Sequence, residues 1–435
     1  MRRAAKPYDN LESSWFEDTN RRKAWHLSSF PPAAHESLTV FGIPVAFVLF
    51  ALTLLGVAIF HHHTLRVALT GLASIIVFKL LFTTFDGIAG VPGLLLHLQH
   101  EWVVLANIGG LLVGFTLLSD HFSKSLLPDL LPRFLPNDWR GPAVLLLLVF
   151  LISSFLDNIA AAIIGGTIAA SVFRGKVHIG YLVAIVAASN AGGSGSVVGD
   201  TTTTIMWIEG VSPLDVLRAF LPALVALAVF AIPLAIQQQR LSPIVADPPA
   251  GLRVDTARLA IVAIILAAAF ATNVVVNSRF HEYSDRFPFL AAAVWTTLLA
   301  TAPWRAPDWH QVPRAATGSL FLLSLVSAAS MMPVESLPAA TWQTTIGLGF
   351  VSSVFDNIPL TKLALEQGGY DWGLLAYAVG FGGSMIWFGS SAGVALSTQY
   401  PQAKSVMLWL RHGWYVPLGY LAGCAAYLLV VGWTD

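Results

Sequence analysis

The sequence predicts an all-α polytopic membrane protein made of two inverted repeats, each with three spans, a re-entrant hairpin, a broken span and one further span. Three observations carry this expectation. Of 435 residues, 56% are hydrophobic and only 11% charged, with formal net charge zero, whereas a soluble chain would carry about 25% charged residues. The apolar runs reach the ~20 residues that cross a ~30 Å hydrocarbon layer as helix, and the ~10-residue alternation of a β-barrel is missing. Finally, one short phrase is written twice, SSFLDNIA at 153–160 and SSVFDNIP at 352–359, about half the chain apart. Each copy is followed by a Gly-rich stretch, GGSGSVVG at 192–199 and GGSMIWFG at 382–389.

Taken in order, residues 1–37 form a polar tail of mixed charge, whose Trp15, Phe16 and Trp25 suit the headgroup layer. No secretory signal peptide is expected there. Apolar spans follow at 38–60, 64–84 and 101–121, then a connection rich in proline (Pro128, Pro132, Pro136) leads into 141–173. That run is too long for one span and too short for two, and Asp157 and Asn158 lie near its middle. A hairpin of two half-helices meeting at a polar tip fits it, with the tip backbone buried in protein. A span broken by the Gly-rich run occupies 177–208, and one more span at 212–236 completes a first repeat over 38–236.

A polar linker, 237–255, separates the halves, and the pattern recurs over 256–435. Spans are expected at 256–276, 288–303 and 314–333, a hairpin at 340–366, a broken span at 371–397 and a final span at 405–432. A hairpin does not cross, so each half crosses an odd number of times and the second must enter from the opposite face. The single cysteine, Cys424, lies in an apolar run and reads as a core residue.

Ionisable groups inside membrane spans are expensive, so Asp157, Asp200 and Asp356 each need a partner or a task. Oxygen donors adjoin all three: Ser153, Ser154 and Asn158 beside the first, Thr201 to Thr204 beside the second, Ser352, Ser353 and Asn357 beside the third. Hard cations such as sodium prefer such ligands. Broken helices add free carbonyls, and their half-helix N-termini can hold an anion. Gly192, Gly193, Gly382 and Gly383 allow the backbone to open where a side chain would obstruct it. The plainer role of each Asp-Asn pair is to cap the half-helix that follows, and capping is compatible with ion binding. Glu101, after His97 and His100, opens the third span as an interfacial residue or a relay. Lys79 and Lys362 are expected to snorkel to an interface, and His61, His62 and His63 read as a solvated turn. No phosphate-binding P-loop is present to drive an ATP-powered pump, and no basic patch with interleaved aromatics suits nucleic acid.

At SNAGGSGSVVGDTTTTIMW, residues 189–207, the chain resembles the NhaD-type sodium/proton antiporters of the ion-transporter superfamily. That superfamily also holds citrate and dicarboxylate carriers and arsenite permeases. The resemblance extends to SSFLDNIA, SSVFDNIP and GGSMIWFGSSAGVA (382–395), so it covers about residues 38–432. It implies two scissors-like inverted repeats, often in a homodimer. It would assign Asp157, Asn158, Asn190, Asp200, Thr202, Thr203, Ser352, Ser353, Asn357, Ser384 and Ser390 to cation binding or coupling, with Glu101 as an accessory acid. Asp356 beside Asn357 is compatible with the pattern. The chain departs from it at Ala160, Ala161 and Ala162, where Thr-rich sequence is usual.

The function expected is exchange of sodium, or lithium, for protons, with no catalytic centre and no cofactor; the only metal is transported sodium at the cation-binding residues. Asp157 and Asp200 would hold either occupant, and competition between the two would itself be the coupling. The alternative is a sodium-coupled carboxylate symporter or an oxyanion efflux permease, in which Ser153, Ser154, Ser352 and Ser353 would hold the anion. Expected partners are membrane lipid, a small cation and a second copy of the chain, not nucleic acid, and the expected location is the bacterial inner membrane.

Overall fold

A computed structural model describes residues 38–60, 63–85, 87–130, 134–245, 253–280, 283 and 286–434. The polar tail with Trp15, Phe16 and Trp25, together with His61, His62 and the middle of the linker, lies outside the described residues.

The first half opens with α1 (Val45–Ile59), α2 (Thr64–Phe82) and α3 (Gly90–Ser123). Then come two short helices around the first polar tip, α4 (Arg140–Ser153) and α5 (Asn158–Val172), and two around the Gly-rich break, α6 (Ile179–Ser194) and α7 (Thr201–Ile208). The half closes with α8 (Phe220–Leu241). The second half repeats the order: α9 (Thr256–Arg279), α10 (Phe289–Thr301) and α11 (Val312–Ser330). Around its polar tip stand α12 (Trp342–Ser352) and α13 (Asn357–Gln367), and around its break α14 (Trp372–Gly382) and α15 (Ser391–Gln399). It ends with α16 (Val406–Gly413) and α17 (Tyr415–Val430), bent by 57° where they join.

Among the described residues, five helices are long and apolar enough to cross a membrane, or six with the bent final pair counted as one span. The remaining spans expected from the sequence differ in kind. At 1.5 Å per residue, α1 with 15 residues and α10 with 13 are too short alone for a ~30 Å layer. The two broken spans likewise consist of pieces of 16 and 8 residues and of 11 and 9 residues. Conversely, α3 is longer than its apolar run and begins at Gly90, because His97 and His100 are accommodated within the helix. Glu101 is therefore a buried helix-interior residue and does not open the span. Helix α8 runs to Leu241, past the start of the expected linker, and Gln238 is buried, accepting from His178 N (2.7 Å) and donating to Lys176 O (3.0 Å). Two minimal hairpins, Thr39–Val40 with Ile43–Pro44 and Thr84–Phe85 with Ile88–Ala89, add a little β structure at the entries to α1 and α3.

Burial separates the elements. Every residue of α6 from Gly180 to Ser194 is buried, and so is every residue of α14 from Gly373 to Gly382. A helix that is apolar all round is satisfied only when other helices surround it, and α6 is enclosed by α4, α8, α14 and α16. By contrast, only Ala68 and Ile75 of α2 are buried, leaving Leu69, Val77, Leu81 and Phe82 exposed, a surface suited to lipid. The halves interlock at the tips: α5 packs on α15 and α13 packs on α7, so the second arm of each tip lies against the far half's broken pair.

Candidate functional site

The site begins with two interruptions that the local sequence dictates. After Ser153 the backbone turns, and Asp157 takes an extended ψ of 138° that stops the helix. Its carboxylate then accepts from Ile159 N at 2.8 Å, capping α5. In the second copy Asp356 has ψ 139° and accepts from Ile358 N at 3.1 Å, capping α13. Asp200 caps α7 in the same way, accepting from Thr202 N at 3.3 Å. Capping is thus present at all three aspartates, each such bond contributing about 1 kcal/mol.

Serine and glycine seat the tips. Ser153 Oγ donates to Ser189 O (2.6 Å) and Ser154 Oγ to Gly192 O (3.1 Å). At the second tip Ser352 Oγ donates to Val379 O (2.8 Å), while Ser353 Oγ donates within its own helix to Phe350 O (2.6 Å). Gly192 faces the carbonyl of Phe150 and Gly382 that of Gly349, so closely that a Cβ would collide with backbone in both. Gly193 and Gly383 similarly face the carbonyls of Gly199 and Gly389. None of these four adopts positive φ. Close approach of two backbones, not an unusual conformation, is what requires glycine here.

Between the tips, Asn190 is fully buried and joins both halves. Its Oδ1 accepts from Asn158 Nδ2 (3.1 Å), and its Nδ2 donates to Ser384 Oγ (2.9 Å) and Ser390 Oγ (3.0 Å). Ser390 also caps α15, accepting from Gly393 N at 3.3 Å. On the opposite side Asn357 Nδ2 donates to Asp200 Oδ2 at 3.4 Å. The two breaks are therefore unequal. Where the first half has Asn190 and Asp200, aligning the Gly-Gly-Ser stretches sets Gly380 and Ser390 in the second, and a Cβ on Gly380 would lie 3.3 Å from Asp200 Oδ2.

Asp200 is only 3% exposed; Asp157 and Asp356 are half-buried. Asp157, Asp200, Thr201 and Thr204 share one small cavity with apolar residues of α3 and α7, including Leu111, Phe115 and Ile205. Ser391 Oγ lies 3.5 Å from Asp356 Oδ2. Among the described residues, none of the three aspartates forms an ion pair. Thr203 Oγ1 donates to the carbonyls of Ser196 (2.6 Å) and Asp200 (2.9 Å), holding the loop of the break, whereas buried Thr202 Oγ1 has no hydrogen-bond partner among the described residues.

Glu101 stands apart from this group. Lys362, expected at an interface, is instead only 1% exposed and sits within ion-pair distance of Glu101, Glu209 and Glu366. The ammonium is held by these ion pairs instead of by water, although two of the acids, Glu209 and Glu366, are themselves exposed. The signal for it in the sequence was the Lys362–Glu366 spacing of four residues on one helix face. Lys79 also turns inward, donating to Met331 O (2.7 Å) with its ammonium 5.1 Å from the Phe85 ring centre.

Comparison with known proteins bears on this geometry. No protein-family model matches the chain. Sodium/proton antiporter 1 of Arabidopsis thaliana is 28% identical over 389 residues, covering 77% of this chain and 64% of that protein. The Na(+)/H(+) antiporter NhaD of Alkalimonas amylolytica is 27% identical over 331 residues, covering 65% and 67%, and that of Halomonas elongata 24% identical over 338 residues, covering 65% and 66%. The chain is related to the NhaD-type sodium/proton antiporters. The match thus spans just under two thirds of the plant antiporter's length. Apolar spans and antiporter relatives together make it an integral membrane protein.

Proposed function

We propose that the chain is a secondary transporter that exchanges sodium, or lithium, for protons, with Asp157, Asp200 and Asp356 as the exchanging groups. The observation that carries this reading is that three carboxylates at the N-caps of α5, α7 and α13 have no cationic partner among the described residues. A carboxylate taken out of water without a counter-charge is costly. A proton or a sodium ion relieves that cost, but one carboxylate cannot be fully served by both, so each occupant disfavours the other. Asn158, Asn190, Asn357, Thr202, Ser384 and Ser390 supply neutral oxygens around the same place, suited to a hard cation.

The hairpin serines favour a cation over an anion. The hydroxyls of Ser153, Ser154, Ser352 and Ser353 all lie within donating distance of backbone carbonyls. What remains available on each is a lone pair, which can ligate a cation but cannot donate to a carboxylate or an oxyanion. In this reading each half is one inverted repeat, the two tips are re-entrant, and the tip-bearing helices move against the flanking spans to alternate access. A homodimer in a bacterial inner membrane completes the proposal.

The test uses everted vesicles carrying a pH gradient and a pH-sensitive dye. Dissipation of the gradient by sodium or lithium, with no carboxylate present, is the expected result. No response to either cation, together with sodium-dependent accumulation of labelled citrate, would overturn the reading.

A further inference from the structure

The two ends of the tip-bearing helices carry charge of opposite sign. Where α6 begins, the neighbouring connections hold Arg174 and Lys176 between α5 and α6, Arg240 at the end of α8, Lys404 just before α16 and Arg411 within it, all exposed. None of the five forms an ion pair among the described residues. Asp138, brought to this end by the hydrogen bond from Gln239 Nε2 to Asn137 O (3.1 Å), is taken up by Arg140: it accepts from Arg140 N (2.9 Å) and lies 3.9 Å from Nε. At the opposite end, where α7 stops and α14 starts, Glu209, Asp215, Glu366 and Asp371 outnumber Arg218 and Lys362. Unpaired cations thus collect at one end only. Three of them meet at a ring contact: the His178 ring stands edge-on to that of His412, centres 4.9 Å apart, and Arg174, Lys176 and Arg411 lie within four residues of it.

Helix α16 adds an apolar surface beside these cations. Its Trp409 and Gly413 are buried, and a Cβ on Gly413 would collide with Val183 of α6. The other side leaves Met407 74%, Leu410 41% and Trp414 51% exposed, with Arg411 among them. The bend of 57° to α17 means that α16 does not continue that span. A short oblique helix with an aromatic, two aliphatics and a cation on its outer side fits the boundary between headgroups and acyl chains.

We propose that Arg174, Lys176 and Arg411 bind the phosphate of an anionic phospholipid whose acyl chains cover Met407, Leu410 and Trp414. A soluble anion would answer the charge but leave the apolar residues bare, whereas one lipid molecule satisfies both. The turn that carries Arg174 and Lys176 is fixed in advance. Gly175 N donates to Ala170 O (2.8 Å), and Gln238 holds it from α8, donating to Lys176 O and accepting from His178 N. Through α16 the headgroup layer reaches the second break, because Trp409 Nε1 donates to Ser384 O (3.1 Å) and Ser384 Oγ accepts from Asn190. The lipid site stands whether or not the chain exchanges cations.

Binding, not transport, tests this. Thermal unfolding of the purified full chain is followed in uncharged detergent micelles as phosphatidylglycerol, phosphatidylcholine or inorganic phosphate is added. A rise in Tm with phosphatidylglycerol alone is expected, weakening as salt is raised. In R174Q/K176Q/R411Q the half-effective phosphatidylglycerol concentration is expected to increase about 100-fold, three surface cations each contributing somewhat under tenfold. The control R66Q/R279Q/R314Q, which removes the same charge from α2, α9 and α11, is expected to respond as the wild-type chain does. If the triple variant does not fold, R174Q/K176Q and R411Q taken separately are each expected to lose part of the rise. The proposal is overturned if phosphatidylcholine stabilises equally, if inorganic phosphate reproduces the whole rise, if the variants at 174, 176 and 411 respond like the wild-type chain, or if the control loses as much as they do. A chain that fails the vesicle assay for exchange can still pass this one, so the two readings fail separately.

Discussion

Asn357 donates from Nδ2 to Asp200 Oδ2 across 3.4 Å, joining the start of α13 to the first half's break from 157 positions away. That contact, with the opposite one from Asn158 to Asn190, sets each tip amide against a break. The carboxylate is met by a neutral donor and not by a base, which leaves it open to a cation.

Asp200→Asn is expected to abolish sodium-dependent dissipation of the pH gradient while changing stability by no more than about 1 kcal/mol, since Asn caps a helix as well as Asp does. Dye recovery in vesicles and thermal melting, measured on one preparation, check this. Loss of folded protein would mean the carboxylate is structural.

Asp157→Asn and Asp157→Ala separate capping from exchange. Both are expected to lose exchange, but only Ala should also lose the cap to Ile159 N, lowering stability by about 1 kcal/mol. Equal melting temperatures for the two variants would contradict the capping geometry.

Asn190→Ala removes three buried side-chain hydrogen bonds and strands Asn158, Ser384 and Ser390. At about 1 kcal/mol for each bond, a loss of roughly 3 kcal/mol is expected in denaturant or thermal unfolding. A loss under about 1 kcal/mol would show that the partners re-pair.

Gly192→Ala and Gly382→Ala each place a methyl against a backbone carbonyl of the adjoining hairpin arm. Neither carbonyl can yield without moving a helix, so destabilisation of about 1–3 kcal/mol or more is expected. Gly347→Ala, where a Cβ meets nothing within 4 Å, serves as the control with little change.

Away from the membrane-spanning segments, Asp255 caps α9 and holds the Arg305 guanidinium at 2.8 Å. That bond keeps the Asp255 carboxyl below its ordinary value of 3.8. A lowered folded-state value contributes stability at higher pH, and the contribution is lost as pH falls from 3.8 through the folded-state value. Arg305→Gln is therefore expected to lower Tm at pH 7 by a margin that shrinks as pH drops below about 4. A margin constant with pH would assign the loss to packing of the arginine stem.

What the sequence determined by itself was whatever depends on near neighbours along the chain. Membrane class follows from composition, the recurrence of a polar tip from the two SSxxDNI phrases, and the positions of Asp157, Asp200 and Asp356 at helix starts from capping, which reaches only two residues ahead. The need for Gly192 and Gly382 was legible too, but its cause, contact with a second backbone, was not. Only the tertiary structure decided that Asn190 meets Ser384 and Ser390 from 194 and 200 positions away, and that Lys362 lies buried among Glu101, Glu209 and Glu366. Hydropathy assigns a lysine near an apolar run to the interface because water is the cheapest place for its charge. Three carboxylates converging from α3, the end of α7 and α13 itself replace that water, and such convergence is a property of packed helices that no single stretch of sequence encodes.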